Sequence, residues 1–262
     1  MEFIKYQATG NDFILIDNRS GNFEKGNPQI IRTLCNRRFG IGADGLMLLE
    51  SDSEKDFRMV YFNADGFEGS MCGNGGRCIS AYAFELLGLE REMMFSAFDG
   101  PHRAKILSHQ GNSYAVRLEM KEVHKPQPFD NDWILDTGSP HYIRFVEQLE
   151  LISVPELGRQ IRNSAEFKTR GINVNFVQHL DSDSIAVRTY ERGVEDETLS
   201  CGTGVTAAAI AAFDSGLVHS SQVKVQTPGG NLNVEFRARK DSYTNVFLEG
   251  EVVKVFSGTY FL

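Results

Sequence analysis

The chain has 262 residues, 41% of them hydrophobic and 24% charged, and a formal net charge of -8. That length supports one large domain or two ordinary ones, and the composition is that of a globular protein. An acidic balance without a basic patch argues against nucleic acid as a partner. No apolar run is long enough to cross a bilayer, and the first thirteen residues lack the apolar core of a targeting segment.

Taken in chain order, short segments rich in β-branched and aromatic residues predict strands over Phe13–Asp17, Leu46–Glu50 and Phe57–Phe62. Pro28–Arg38 reads as a short helix between the first two. After Cys72 the pattern turns helical: Gly75–Leu87 puts Ile79, Ala83, Leu86 and Leu87 on one stripe and stops near Gly88. Tyr114–Glu119 reads as a strand. Lys121–Phe129, with two prolines and alternating charges, is the best candidate for a linker. Strands follow over Val174–His179 and Ile185–Tyr190. A second helix over Gly204–Ser215, ended at Gly216, is nearly all alanine and should be buried on every side. Gln222–Gln226, Leu232–Phe236 and Asn245–Val255 read as the closing strands.

Four cysteines, at 35, 72, 78 and 201, do not make a disulfide framework, so reduced thiols in the cytoplasm are expected. Cys35 and Cys78 read as buried small residues. Cys72 and Cys78 lack matching histidines, so no metal is expected. The informative pair is Cys72-Gly73-Asn74-Gly75 and Cys201-Gly202-Thr203-Gly204. They lie 129 residues apart, each opens a helix, and at the same offset Gly100 matches Gly229. One element has been used twice.

A cysteine at the first turn of a helix feels the positive end of the helix dipole. That moves its pKa from about 8.5 toward roughly 3.5–7.5 and favours the thiolate. The glycines admit a ligand close to the backbone, whose N–H groups can hold a carboxylate. One carboxylate gripped by both helix ends would set its α-carbon before both sulfurs. A cofactor-free racemase or epimerase needs that arrangement: one thiol takes a proton and the other delivers one to the far face. Either motif by itself is equally compatible with a buried Cys-Gly turn; their matched positions favour the chemistry.

The stretches Thr9-Gly10-Asn11-Asp12-Phe13, Gly40-Ile41-Gly42-Ala43-Asp44-Gly45, Asn63-Ala64-Asp65-Gly66 with Met71-Cys72-Gly73-Asn74-Gly75, Gly171-Ile172-Asn173, and Tyr190-Glu191-Arg192-Gly193 with Glu197-Thr198-Leu199-Ser200-Cys201-Gly202-Thr203-Gly204 occur in that order. Together they resemble the diaminopimelate epimerase family over essentially the whole chain. The resemblance implies an α/β (α+β) fold of two similar, pseudo-twofold-related domains. Each would be a strongly curved, mostly antiparallel sheet wrapped around a central helix. The first would take 1–122, with the last strand, about 253–262, returning to it; the second would take 123–252. It also implies a homodimeric, pyridoxal-independent isomerase with no cofactor. Such an enzyme interconverts LL- and meso-2,6-diaminopimelate on the route to lysine and peptidoglycan precursors.

By the same resemblance Cys72 and Cys201 would be the acid–base pair, and His141 and Glu191 would tune them. Backbone groups at Gly73, Asn74, Gly202 and Thr203 would hold the reacting carboxylate. Asn11, Asn63, Asn173, Glu191 and Arg192 would bind substrate, Arg192 as bidentate partner of the distal carboxylate. From the residues themselves, Asn11 and Asn63 could equally be turn residues, and Glu191 and Arg192 a solvated charged pair. His141 could be structural, and Asp44 and Asp65 read as turn or capping residues. Three departures from the family pattern stand out. Ser139 replaces an amide side chain in Gly138-Ser139-Pro140-His141. The loop through Glu195-Asp196-Glu197 is one residue longer and more acidic. Gly45 stands where some members carry Gln.

Two other readings remain at this point. A proline or hydroxyproline epimerase of the same fold would leave Asn63, Asn173 and Arg192 idle. A thiol redox protein would use Cys72 and Cys201 as a reversible disulfide.

Overall fold

The structure, a computed structural model, describes residues 1–69 and 71–261; the end of the expected last strand, residue 262, lies outside the described residues. The chain divides into two compact units. One is Met1–Leu118 with the chain from Gly250 on, and the other is Glu119–Glu249.

In the first unit β1 (Glu2–Ala8) and β2 (Asn11–Asp17) form a hairpin. Its two turn residues, Thr9 and Gly10, both have positive φ, 47° and 82°. That is the backbone whose twist suits a two-residue hairpin. Helix α1 (Pro28–Cys35) crosses to β3 (Gly45–Glu50), which runs parallel to β2; β4 (Phe57–Asn63) returns antiparallel. Helix α2 (Gly73–Leu87) crosses to β5 (Glu92–Ala97), parallel to β4. The strands β6 (Gly100–Gln110) and β7 (Ser113–Glu119) then follow antiparallel.

The second unit repeats that plan. After the short β8 (Val123–His124) and β9 (Gln127–Phe129), β10 (Asp132–Asp136) and β11 (Pro140–Phe145) pair antiparallel. Helix α3 (Val154–Arg162) crosses to β12 (Asn173–Asp181), parallel to β11, and β13 (Ser184–Glu191) returns antiparallel. A small strand, β14 (Asp196–Thr198), folds back on β13. Helix α4 (Gly202–Asp214) crosses to β15 (Gln222–Thr227), parallel to β13, and β16 (Gly230–Ala238) follows antiparallel. The order of pairings around each crossover helix is therefore the same in both units.

The long β17 (Ser242–Thr259) pairs near its start with β8. Its later residues pair with β7 and β1, closing the strands of the first unit into a ring.

Burial follows from this plan. Leu46–Leu49 are all buried because β3 is covered on both faces, by Ile31 and Leu34 of α1 on one and by α2 on the other. Helix α2 is buried from Gly73 through Ala83, so its first turns are enclosed all round rather than on one stripe. In α4 the run Ala207–Ala212 is buried against Ile143, Val177, Val187, Val225 and Val234. Small side chains on every side let the surrounding strands close around the helix. On the outer face α3 packs Val154 toward Tyr142, Val174, Phe176 and Tyr190.

The structure corrects several expected elements. Helix α1 ends at Cys35 rather than residue 38 because Asn36 is extended there and its side chain accepts from the N–H groups of Arg38 and Phe39, both at 2.9 Å. Both thiol helices begin earlier than expected, at Gly73 and Gly202, which makes each cysteine the N-cap. Residues 121–129 are not a free linker, since Val123 and His124 pair with β17 and 127–129 with β10. The counterpart of Gly100 is Gly230, not Gly229. Each opens its strand with positive φ, 122° and 140°, opposite Ala97 and Thr227 respectively. The second copy carries one residue more between thiol and turn.

Candidate active site

In the first unit a candidate half-site is built where β1, β2 and α2 begin or end. Cys72, half-buried, caps α2 with extended dihedrals (φ -108°, ψ 125°), and its C=O accepts the Gly76 N–H at 2.7 Å. The glycines of the first turn are there because neighbouring side chains occupy the space of a Cβ. One at Gly75 would sit 2.1 Å from Met47 Cε, and one at Gly76 2.4 Å from Met71 Cε. The β1–β2 turn brings Asn11 over this helix end. Asn11 Oδ1 accepts from Cys72 Sγ at 3.7 Å and from Asn74 Nδ2 at 3.4 Å, while its Nδ2 donates to Asp44 Oδ2 at 2.7 Å. That last bond fixes the amide so that its oxygen faces the thiol. Asp44 is itself held by Arg37 at 2.7 Å. Burial pushes the Asp12 carboxyl up, but hydrogen bonds from Arg37 and Lys5 outweigh it and hold Asp12 well below the usual carboxylate range.

Arg77, in the first turns of α2, is fully buried. Its Nη2 donates to Asn74 Oδ1 at 3.0 Å and Thr9 Oγ1 at 3.5 Å. Thr9 is a β-branched residue at φ 47°, a strained backbone held at the edge of the site.

The second unit carries its own candidate half-site, with the same frame and different chemistry beneath it. Cys201, buried, caps α4 (φ -118°, ψ 111°), and its Sγ lies 3.4 Å from Thr203 Oγ1. Thr137 Oγ1 donates to the Thr203 C=O at 2.9 Å, tying β10 to the helix start. Under the first turn sits Asn175 of β12. A Cβ on Gly204 would be 2.4 Å from its Oδ1. Asn175 Nδ2 donates to the Tyr142 C=O at 3.1 Å and faces His141 Nδ1 at 3.1 Å, and its Oδ1 accepts from Thr189 Oγ1 at 2.9 Å.

With the amide oriented by Tyr142 and Thr189, His141 Nδ1 must be the acceptor and the ring proton sits on Nε2. His141 is fully buried, and Nε2 has no hydrogen-bond partner among the described residues. Burial first, and the nearby Arg192 second, pull the imidazole down to about 3, so it is neutral at physiological pH. It holds a proton to donate without carrying charge.

The remaining expected residues sort as follows. Asn173, buried, stands opposite His141 in the parallel β11–β12 register, and its Oδ1 accepts the Arg192 N–H at 2.9 Å. Arg192 is exposed, its Nη1 donates to the Arg170 C=O at 3.1 Å, and its stem crosses Gly171, where a Cβ would meet Arg192 Cδ at 2.5 Å. The Gly171-Ile172-Asn173 motif thus serves Arg192 directly. Glu191 ends β13 opposite Asp196. Asn63, exposed at the end of β4, uses its backbone in a turn with Gly66 and Phe67. Asp65 is a turn residue, accepting from Phe67 N–H at 3.0 Å.

The acidic loop is engaged with its own unit. Glu195 reaches Arg162 at 3.3 Å and Tyr190 Oη at 3.2 Å, and Glu197 pairs with Arg188 at 2.6 Å. Gly45 has no room for a side chain, since a Cβ would lie 2.5 Å from the Tyr61 ring.

Asp44 and Arg77 beside Cys72, and Thr137, Asn175 and Thr189 near Cys201, were not singled out as site residues from sequence. Two carried a usable signal. Asn175 follows Asn173 by two residues and so shares its face of the strand, and Arg77 lies in the first turns after the Cys72 motif. Among the described residues no group of three or more His, Cys, Asp or Glu is placed to hold a metal ion, and no helix is long and apolar enough to cross a membrane.

Comparison with known proteins agrees with the repeat. The family profile described as diaminopimelate epimerase matches residues 3–125 and again 133–255. The chain is 47% identical over 259 residues to the diaminopimelate epimerase of Flavobacterium psychrophilum, covering 99% of this chain and 100% of that one. It is 43% identical over 264 residues to that of Chlorobaculum tepidum, covering 96% and 98%. Among solved structures it shares its fold with a Bacillus anthracis phenazine biosynthesis protein of the PhzF family (TM-score 0.78, 14% identity, 100% and 99% covered). It also shares it with a probable proline racemase from Agrobacterium radiobacter with bound carbonate (TM-score 0.73, 16% identity, 100% and 93% covered).

Proposed function

Since the chain belongs to the diaminopimelate epimerase family, we propose that it interconverts LL- and meso-2,6-diaminopimelate by acid–base chemistry at Cys72 and Cys201. The observation that carries this reading is the repeated N-cap: each unit sets one cysteine as the N-cap of an enclosed helix whose first residue is a glycine. In the proposed cycle one thiolate removes the α-proton and the other thiol delivers a proton to the opposite face, so the pair ends with its charges exchanged and no net proton consumed. The N–H groups of Gly73, Asn74, Gly202 and Thr203 are assigned to the α-carboxylate. They act where negative charge grows as the proton leaves, which is where stabilisation accelerates the step. Asn11, oriented by Asp44, is placed beside Cys72 for the same end of the substrate. Arg192, steadied by Asn173 and the Arg170 carbonyl, takes the distal carboxylate, with Asn63 and Glu191 assigned to the substrate's other polar groups.

His141, as a buried Nε2–H donor, and Glu191 are assigned to tuning the thiols. We also place the enzyme in the cytoplasm as a homodimer, which suits reduced thiols and follows the family resemblance. A proline-type substrate is the weaker reading. The relatives that share sequence throughout are diaminopimelate epimerases, and the proline racemase relation extends to the fold only.

The test is α-proton exchange on LL-diaminopimelate in heavy water, followed by NMR under reductant without added cofactor. Deuterium entry with formation of the meso isomer is expected, and both are lost in Cys72→Ala and in Cys201→Ala. Full turnover in either variant refutes the mechanism, and turnover on hydroxyproline but not diaminopimelate refutes the substrate.

A further inference from the structure

The two units fill one set of three register positions with different chemistry. In the first, Phe13 lies opposite Gly45 in the parallel β2–β3 pair. Met47 stands two residues further along β3, and Tyr61 of β4 faces it. In the second, His141 lies opposite Asn173 in the parallel β11–β12 pair. Asn175 stands two residues further along β12, and Thr189 of β13 faces it. Met47 and Asn175 both lie against the glycine three residues after the thiol, Gly75 and Gly204 respectively. The first set is packed by apolar contact, with the Phe13 and Tyr61 rings edge-on at 6.0 Å. The second is polar at every position. Phe13, Met47, His141 and Asn175 are all fully buried. Apolar side chains therefore suffice to pack beneath a helix start of this frame. A buried imidazole and amide are unfavourable there unless hydrogen-bonded, so packing does not explain them.

Their hydrogen bonds run in one direction. The Tyr142 C=O can only accept, which fixes the nitrogen end of the Asn175 amide on its side at 3.1 Å, while Thr189 Oγ1 donates to the oxygen end at 2.9 Å. The second amide hydrogen goes to His141 Nδ1 at 3.1 Å, which must offer its lone pair and leave the ring proton on Nε2. That Nε2 is enclosed and finds no hydrogen-bond partner among the described residues. Ile143, two residues beyond His141, packs with the alanines of α4, so His141 lies on the sheet face that α4 covers. Asn175 meets the same helix at its first turn, the end that Cys201 caps.

We infer that Asn175 is a positioning residue of the reaction: held by Tyr142 and Thr189, it locks His141 as the Nε2–H tautomer, so that the imidazole serves the α4 side of the sheet as a neutral donor. The inference rests on the reading of His141 as a group that tunes a thiol. The tautomer decides the sign of that tuning. An N–H that donates to sulfur favours the thiolate, whereas a bare nitrogen accepts from S–H and favours the thiol. The amide is suited to the lock because it accepts from Thr189 at one end and donates to His141 at the other.

The experiment is nitrogen NMR of the whole chain with isotope-labelled histidine at neutral pH. The His141 ring is identified among the six histidines by its loss in His141→Gln. The parent should show a bare Nδ1 and a protonated Nε2 with no second form, and any Nδ1–H fraction overturns the inference. Asn175→Asp keeps the size and sets an acceptor-only carboxylate before Nδ1, so a proton should appear on Nδ1. In that variant kcat on LL-diaminopimelate should fall at least about tenfold, with KM within about twofold of the parent. A folded Asn175→Asp protein with the parental ring pattern overturns the lock. A moved proton with parental kcat overturns the part assigned to it in the reaction. If the aspartate variant does not fold, the parental ring pattern decides, a single Nε2–H form supporting the inference and a mixture overturning it. The ring nitrogens are readable whatever the deuterium assay shows, so failure here and failure of the epimerase reading are separate results.

Discussion

Replacing Gly204 with alanine probes the contact on which the second half-site is built. Gly204 has ordinary helical backbone, so the cost is steric. The new Cβ would lie 2.4 Å from Asn175 Oδ1, and ordinary contact needs a retreat of about 1 Å. That movement breaks the 2.9 Å bond from Thr189 Oγ1 and strains those to His141 and Tyr142. Leaving one or two buried polar groups unsatisfied costs about 1–3 kcal/mol each, and crowding a packed interior adds about 1–3. A loss near 3–4 kcal/mol is expected, or roughly 6–15 °C in Tm at this size.

Two controls separate the causes. At the matching position Gly75, a Cβ meets only the terminal methyl of Met47, which can swing away, so Gly75→Ala should cost less. Gly216 has open space but φ 76°, so Gly216→Ala should cost only the left-handed backbone penalty of about 1–2 kcal/mol. The assay is urea unfolding of each variant, with Asn175→Ala added to close a double-mutant cycle. In the Gly204→Ala background, Asn175→Ala should recover part of the loss. A Gly204→Ala protein within about 0.5 kcal/mol of the parent, or a cycle with no coupling, refutes the packing argument.

Two further outcomes follow from the titratable groups. His141 is pulled to about 3 in the folded protein against about 6.5 unfolded, so the unfolded chain binds the extra proton between those values. Its contribution is fully present above about pH 6.5 and is lost as pH falls toward 3, with a slope approaching about 1.4 kcal/mol per pH unit. Urea midpoints at pH 4 to 7 should therefore fall more steeply for the parent than for His141→Gln; equal slopes would count against a buried neutral imidazole. Burial pushes the Cys35 thiol to about 12 and Cys78 higher still. Both should stay unmodified by iodoacetamide at pH 8 in the native protein and react on unfolding, as peptide mapping would show; alkylation of either in the folded chain would contradict the enclosed α1 and α2.

The thiol helices and the strands beside them were legible because their signals are local: a Cys-Gly start, an alanine-rich run, a glycine stop. The missed elements lack such signals. Lys5 sits in the middle of β1, a strand that was not predicted, and it is buried where Asp12 reaches it across the hairpin. Helix α3 contains Pro155 and Gly158, which break up a helical pattern, and no element was predicted there. In the fold Gly158 is where the Tyr190 side chain packs, 2.3 Å from the position of a Cβ.

The linear order of residues settled which atoms could do acid–base work, since a thiol at a helix start is ionisable wherever that helix goes. It also showed that the element is used twice, because the duplication is written in the spacing. Which polar groups lose their water was decided by the tertiary structure. Nothing local in the sequence marks Arg77 or His141 as fully buried; the strands around α2 and the pairing of β11, β12 and β13 bury them. Desolvation depends on neighbours remote in sequence, so no local pattern could have announced it.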